Sequence, residues 1–570
     1  MRKLFALGAI LVSLFVSGPA FLQAQAAKAS APSNRKLTGP VMITQSTRIE
    51  PGQYHVDVPD GQSVIEIAAD NVVLDLRGVT LESSTRNPWE RVGIGIHAKA
   101  RSHISILGGS VRGYRINILL EAEAGSGSEM QVVGTDVSGS RAQRLVSTDT
   151  HFEARDWVNI FDLEAWEGYG AGLYFKNIDG GRIENLIARD AQNGIMLVQT
   201  SSVTVYQCDL SHNSGWGMAL YGSSGDDLLN NHADWDVRCE GKTYSAGCDS
   251  AGVLLMEASN HNRIIGNSFT HSGDGFFLSK SQTGAPSESN YVAFNDGSYS
   301  PHNSFEAVFT SGNQFYHNSA DHSDYGFWVS YSRDSAVIDN HIEGSKHDGI
   351  AVEHGEGNVF ARNLIRSSGA AGIHLFQNAP TPDPSRRYTL LQNDLESNRV
   401  GILISRTEDV TISDNTFAND QIGIKVEEKS RGVRLHGNHF TPPSGVFVQS
   451  QDPTALTVDQ VIGRSGDREN PRSDDCRIGW SEKQDTMARI AGFVRTNEDR
   501  VISSCIKVRV HLNSRSPDLP ILMMPRCTRS RTGGVRTAGR GVRSGRVGAG
   551  NPDAVAALHH LAALRARGLR

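Results

Sequence analysis

The sequence predicts an all-β fold, a right-handed parallel β-helix solenoid with coils of 22–23 residues. Three observations predict it: a recurring glycine, the apolar alternation that follows each glycine, and an asparagine ladder in the same rhythm. "GLYFKN" begins at Gly172, "GIMLVQ" at Gly194, "GMALYG" at Gly217, "GVLLME" at Gly252, "GFFLSK" at Gly275 and "GFWVSY" at Gly326. "GIAVEH", "GIHLFQ", "GILISR" and "GIKVEE" follow at Gly349, Gly372, Gly401 and Gly423. Steps such as 172 to 194, 326 to 349 and 401 to 423 span 22 or 23 residues, and Ser304 takes the glycine's place before Gly326. Asn318, Asn340 and Asn363 keep the interval, as do Asn393, Asn415 and Asn438. They are expected to be turn residues, because Asn tolerates left-handed backbone and bonds its own chain at turns. A β-sandwich would give turn signals every 8 to 12 residues or so, without a fixed phase. Short strands that cannot bury a face singly must instead stack, roughly 4.8 Å apart.

The elements follow in chain order. Residues 1–26 read as a secretory signal peptide: Arg2 and Lys3, an apolar run, then Ala24-Gln25-Ala26 as a cleavage site. No later stretch is apolar enough to span a bilayer, so the expectation is a secreted or periplasmic protein without membrane insertion. Residues 27–71 are expected to form the N-terminal cap and first strands, because bare solenoid ends invite pairing with other chains. The β-helix proper is expected over 72–450, with "DWVNIFDLEAWEGYG" as a lateral excursion. Residues 451–570 are read as a non-repeat tail, disordered or aberrant, whose Arg/Gly/Ala-rich end carries no assigned function. Six cysteines in 570 residues are not a disulfide scaffold. Cys239 and Cys248 flank an insertion that they are placed to staple in an oxidising compartment, and Cys208 reads as a buried apolar residue. A formal net charge of -6 points away from nucleic acid, and a monomer is expected.

The segment "ADNVVLDLRGVTL", the glycine and asparagine rhythm and the signal peptide together resemble exported right-handed β-helix proteins. These are the carbohydrate-binding and sugar-hydrolysis repeat proteins, among them the NosD-type periplasmic proteins. The resemblance covers roughly Thr44 to Phe447 and implies the fold; relatives of this kind include pectate lyases, alginate epimerases, hydrolases and non-enzymes. The DPHD tetrad of periplasmic mannuronan epimerases is absent.

Register gives the candidate site. The first and third residues after each glycine are apolar and point inward, so the second and fourth point outward. From Gly252 to Gly372 the outward columns hold Phe277, Glu306, Trp328, His374, Glu353 and Phe376, with Lys280, Tyr331 and His354 just beyond and Asp274 just before. Aromatic platforms suit sugar rings, and large exposed apolar patches bind something. An extended polysaccharide is therefore the expected partner, with Asp274, Phe277, Lys280, Trp328 and Phe376 binding it. Glu306, Glu353, His354, His374 and Tyr331 are the candidate catalytic residues. Hydrolysis uses Glu306 and Glu353, whose backbones strand geometry separates by roughly 12 Å; inversion asks for carboxyls about 6.5–9.5 Å apart. Elimination or C5-epimerisation instead uses His374 or His354 as base, Tyr331 as acid and Lys280 as neutraliser. Hydrolysis ranks slightly ahead, and a non-catalytic glycan-binding module stands beside both. No cofactor is required. A divalent metal at Glu353, His354 and His374 is a further possibility, and the NosD type raises a role in metal-site maturation, for which copper would favour Met or Cys ligands.

Overall fold

The computed structural model describes residues 33–463, apart from 126, 149–150, 152, 242–243, 379–383, 428 and 442–445. The expected leader and the stretch from 464 onward lie outside the described residues. The chain divides into two units, Met1–Ile478 and Gly479–Arg570, and every described residue belongs to the first.

Among the described residues, sixteen strands pair in one parallel sheet, from Val41–Ile43 to Val446–Ser450, one strand per coil. A 23-stranded sheet and a three-stranded one form the other walls. The register is the one the repeat demands: Phe305 pairs with Phe276 and Phe327, and Ile350 with Phe327 and Ile373. These inward residues are buried in one continuous core, where the Phe305 and Phe327 rings stack 4.8 Å apart. The glycine column has a spatial cause. A Cβ at Gly349 would lie 2.6 Å from Ile365 and 2.7 Å from the Gly372 carbonyl, and Gly326 and Gly372 are crowded in the same way.

The asparagines sit at the bends between strands, and their side chains form a stack. Asn295, Asn318, Asn340, Asn363, Asn393 and Asn415 are buried, and each Nδ2 donates to the Oδ1 of the next coil's Asn at 2.9–3.1 Å. The positive φ belongs to the residue just before each Asn, among them Phe294, His317, Asp339, Arg362 and Gln392. A buried amide needs both ends satisfied, and a stack of identical amides one coil apart does that.

The excursion is present and lies over the outer sheet face. Its short helix Leu163–Glu167, capped by Asp162, seats Trp166 4.5 Å from Trp216 in a second apolar cluster. Cys239 and Cys248 are disulfide-bonded, and the excursion is tied to that loop by Val158 N–H donating to the Cys248 carbonyl at 3.1 Å. The fully enclosed Arg238 adds an ion pair to Asp156 at 3.4 Å. Cys208 is buried with a free thiol. Among the described residues no helix is long and apolar enough to cross a membrane.

Further toward the N-terminus on the same outer face, His97 bridges Glu66 (2.9 Å) and Glu121 (3.0 Å) with its two ring nitrogens. Burial alone would lower its pKa, but the hydrogen bonds and charges of the two carboxylates lift it to about 9. The bridge therefore stabilises the fold fully below the unfolded value of about 6.5, and that contribution disappears as pH rises through about 9, worth at most about 3 kcal/mol. Urea unfolding midpoints of wild type are expected to fall between those pH values, and His97→Gln to flatten that slope. Parallel pH curves for the two proteins would contradict this role.

Candidate functional site

The outward column forms as the repeat implies: Phe277, Glu306, Trp328, Ala351 and His374 lie side by side on consecutive strands. Its aromatics do not form an open platform. Phe277 is 1% exposed, Trp328 8% and Phe376 9%, all within the second apolar cluster together with Trp216 and Met256. The outer face of a parallel sheet was covered by side chains of neighbouring coils and by the excursion, which carries no period from which covering could be read.

The two glutamates are not brought together. Glu306 leans back along its strand, where Asn303 Nδ2 donates to its Oε2 at 2.5 Å. Glu353, two strands on and opposite Phe376, is bonded in the other direction by Asn378. Burial raises the pKa of Glu353 against that hydrogen bond. From backbones roughly 12 Å apart, the two carboxyls are thus held on different asparagines.

What the fold gathers around Glu306 is a different set. Asp274 opens the strand Asp274–Leu278, and its Oδ1 accepts from the Asn303 backbone N–H at 3.0 Å and faces His302 Nδ1 at 2.9 Å. His302 Nδ1 lies 3.7 Å from Glu306 Oε2. Among the described residues this is the one group of metal-capable side chains whose three ligand atoms all lie within 4.8 Å of one another. Burial would lower the His302 pKa, yet the Asp274 charge and hydrogen bond raise it; burial and the Asp274 charge push the Glu306 carboxyl upward. The Asn303 amide lies against both partners, its Nδ2 3.0 Å from His302 Nδ1, while its buried Oδ1 has no hydrogen-bond partner.

The remaining candidates are spread around this cluster. His374 Nδ1 lies 3.1 Å from Asp348, its side chain is 21% exposed, and its ring stacks on Phe376 at 4.3 Å. Tyr331 stacks between Phe309 and the fully enclosed His354, at 4.7 and 4.8 Å. Lys280 Nζ donates to the carbonyls of Ser281 and Gly284 in its own loop. Glu353, His354 and His374 do not form a set of ligand atoms within 4.8 Å of one another, and His374 is held by Asp348. His302 lies just before its strand and Asn303 opens it, one step outside the columns that the glycine register assigns. Aligning the residues before each glycine position would have set Asn303 beside Asp274.

Fold and site together define a right-handed parallel β-helix protein with a buried acid–histidine cluster on its outer sheet face. The family described as periplasmic copper-binding protein (NosD) matches residues 70–319, 249–384 and 286–445, more than half of the chain, and the protein belongs to that family. No curated protein matches the chain. Similar solved structures include the Dettilon tailspike protein (TM-score 0.30, 14% identity), where the match covers 72% of this chain and 64% of the tailspike. Others are the periplasmic alginate epimerase AlgG (0.34, 12%; 72% and 79%) and the Streptococcus pneumoniae surface adhesin PfbA (0.35, 12%; 65% and 86%).

Proposed function

We propose that this chain is a periplasmic metal-binding β-helix protein that holds one metal ion at Asp274, His302 and Glu306. The observation that carries the reading is the convergence of three ligand atoms within 4.8 Å on a rigid sheet face. The family description, with its copper, supports it. Imidazole and carboxylates are ordinary ligands for Cu2+ or Zn2+, so the residues fit such an ion. Protein freed of metal with a chelator, loaded and desalted, is expected to retain one equivalent of Cu2+ or Zn2+ by elemental analysis. Retention of no ion, Cu+ included, would refute the reading.

A second reading is binding and modification of an extended polysaccharide along the same face. The observation favouring it is the half-buried His374, oriented by Asp348 beside Phe376. A base held by a carboxylate suits proton abstraction at a uronate C5, whereas Glu306 and Glu353 are each bonded to a different asparagine, which ranks hydrolysis behind it. A screen of neutral and uronic polysaccharides, read by new reducing ends and by unsaturated-uronate absorbance, separates the reactions. Absorbance that His374→Gln abolishes and Glu353→Gln leaves intact is the expected result. Reducing ends without absorbance would restore hydrolysis, and no product with any polymer would remove the catalytic version.

A further inference from the structure

Resting on the metal reading above, we infer that the site selects an oxidised, divalent ion and not Cu+, and that the side-chain oxygen of Asn303 completes the donor set. The first argument is the chemistry of the donors. Two carboxylates and one imidazole make an oxygen-rich, borderline-to-hard set, which suits Cu2+, Zn2+ or Mn2+. Cu+ is held by thiolate and thioether sulfur. The cysteines described elsewhere in the fold are committed: Cys239 and Cys248 are bonded to each other, and Cys208 is buried beneath another wall. Met256, on the outer face two strands from Glu306, is fully enclosed in the second apolar cluster.

The second argument is the amide. Asn303 is 1% exposed, and its Oδ1 is a buried acceptor without a partner. Its Nδ2 sits 3.0 Å from His302 Nδ1 and 2.5 Å from Glu306 Oε2. Half a turn of the amide exchanges its two ends and puts the oxygen where the nitrogen stands, among the other donors. Metal–ligand bonds of about 2.0–2.2 Å place neighbouring donors roughly 2.9–3.5 Å apart. The gaps of 2.9 Å from Asp274 to His302 and 3.7 Å from His302 to Glu306 bracket that range, so a small ion needs only side-chain adjustments. The backbone N–H of Asn303, held by Asp274, fixes the residue whichever way the amide faces.

The test uses the whole metal-free protein and three probes: Cu2+, Zn2+ and, under reducing anaerobic conditions, Cu+ in competition with a chromogenic Cu+ chelator. Expected are one tightly held Cu2+ or Zn2+ per chain and no withdrawal of Cu+ from the chelator. Electron paramagnetic resonance of the Cu2+ protein should show coupling to a single imidazole nitrogen, lost in His302→Gln. Asn303→Ala should weaken Cu2+ binding roughly tenfold or more, in the range seen when supporting groups of metal sites are removed. Asn303→Asp, which keeps an oxygen in place, should restore it. Thermal unfolding of the metal-free variants identifies any that fail to fold, and Asn303→Asp then carries the comparison alone through its changed copper spectrum. Tight Cu+ binding without Cu2+ binding would overturn the inference and leave the metal reading standing. Unchanged affinity in Asn303→Ala would overturn the role of the amide, and no binding of any probe would overturn both.

Discussion

Replacing Asn318 by alanine is expected to lower the stability of its part of the solenoid by about 3–5 kcal/mol. Asn318 Oδ1 accepts from the backbone N–H and the Nδ2 of Asn295, both at 3.0 Å. Its Nδ2 donates to the Val292 carbonyl at 2.9 Å and to Asn340 Oδ1 at 3.0 Å. Alanine removes all four bonds and strands the Asn295 N–H in an interior that water does not reach. Such an orphan costs about 1–3 kcal/mol, and the cavity left by the amide adds to it. Because solenoid stability is a sum of coil and nearest-neighbour terms, the loss should concentrate in adjacent coils. Hydrogen exchange of the amides between 290 and 345 reads it locally, and the urea midpoint reads it globally. A loss below about 1 kcal/mol would mean that the ladder is not the buried hydrogen-bonded column described here.

The second large effect concerns the ion. His302→Ala and Asp274→Ala are each expected to weaken Cu2+ binding by at least about a hundredfold, since a first ligand contributes more than its supporting groups. Glu353→Gln, outside the cluster, should leave affinity unchanged and serves as the control. Removing His302 also leaves Asp274 and Glu306 facing each other without the imidazole between them. The metal-free His302→Ala protein should therefore be less stable than wild type near neutral pH and recover part of the difference in acid, where the Glu306 carboxyl, pushed upward by burial and by the Asp274 charge, is protonated. Titration followed by calorimetry measures the affinity, and unfolding curves at two pH values measure the second effect. Wild-type affinity in His302→Ala would remove this cluster from consideration.

Much of the fold could be read directly, because a solenoid repeats its physics in every coil. The glycine phase gave the register, and the inward positions Phe276, Phe305, Phe327, Ile350 and Ile373 are the core residues the alternation assigns. Four things were hidden. Alternation tells which residues leave the core but not what they pack against, so Phe277 looked like a platform although it belongs to one buried cluster with Val158, Ile160 and Trp166 of an aperiodic excursion. A period in asparagine looks the same whether the side chain serves a turn or a stack, and the residues that carry the left-handed backbone, Phe294 and His317 among them, vary too much to announce it. A corner stack of His212, Trp235, His271, Tyr299 and His322, ring upon ring, was concealed for the same reason. The cluster itself lies at the entry to two strands, where Asp274 and Asn303 are the first paired residues and His302 precedes its strand, outside the glycine-led columns.

The asparagine column also has a direction. Every Oδ1 faces the preceding coil and every Nδ2 the following one, so the amide dipoles add head to tail, as peptide dipoles do in a helix. The solenoid thereby acquires an electrical polarity along its axis, with the positive end toward the C-terminal coils. A neighbouring column shows the charge that such an end accepts. There Asn398 donates its backbone N–H and Nδ2 to the buried carboxyl of Asp420, at 2.8 and 3.1 Å. Two ends that looked alike as open stacks of strands are thus inequivalent to any ion that approaches them, and a coil threaded in reverse would oppose the field of all the others.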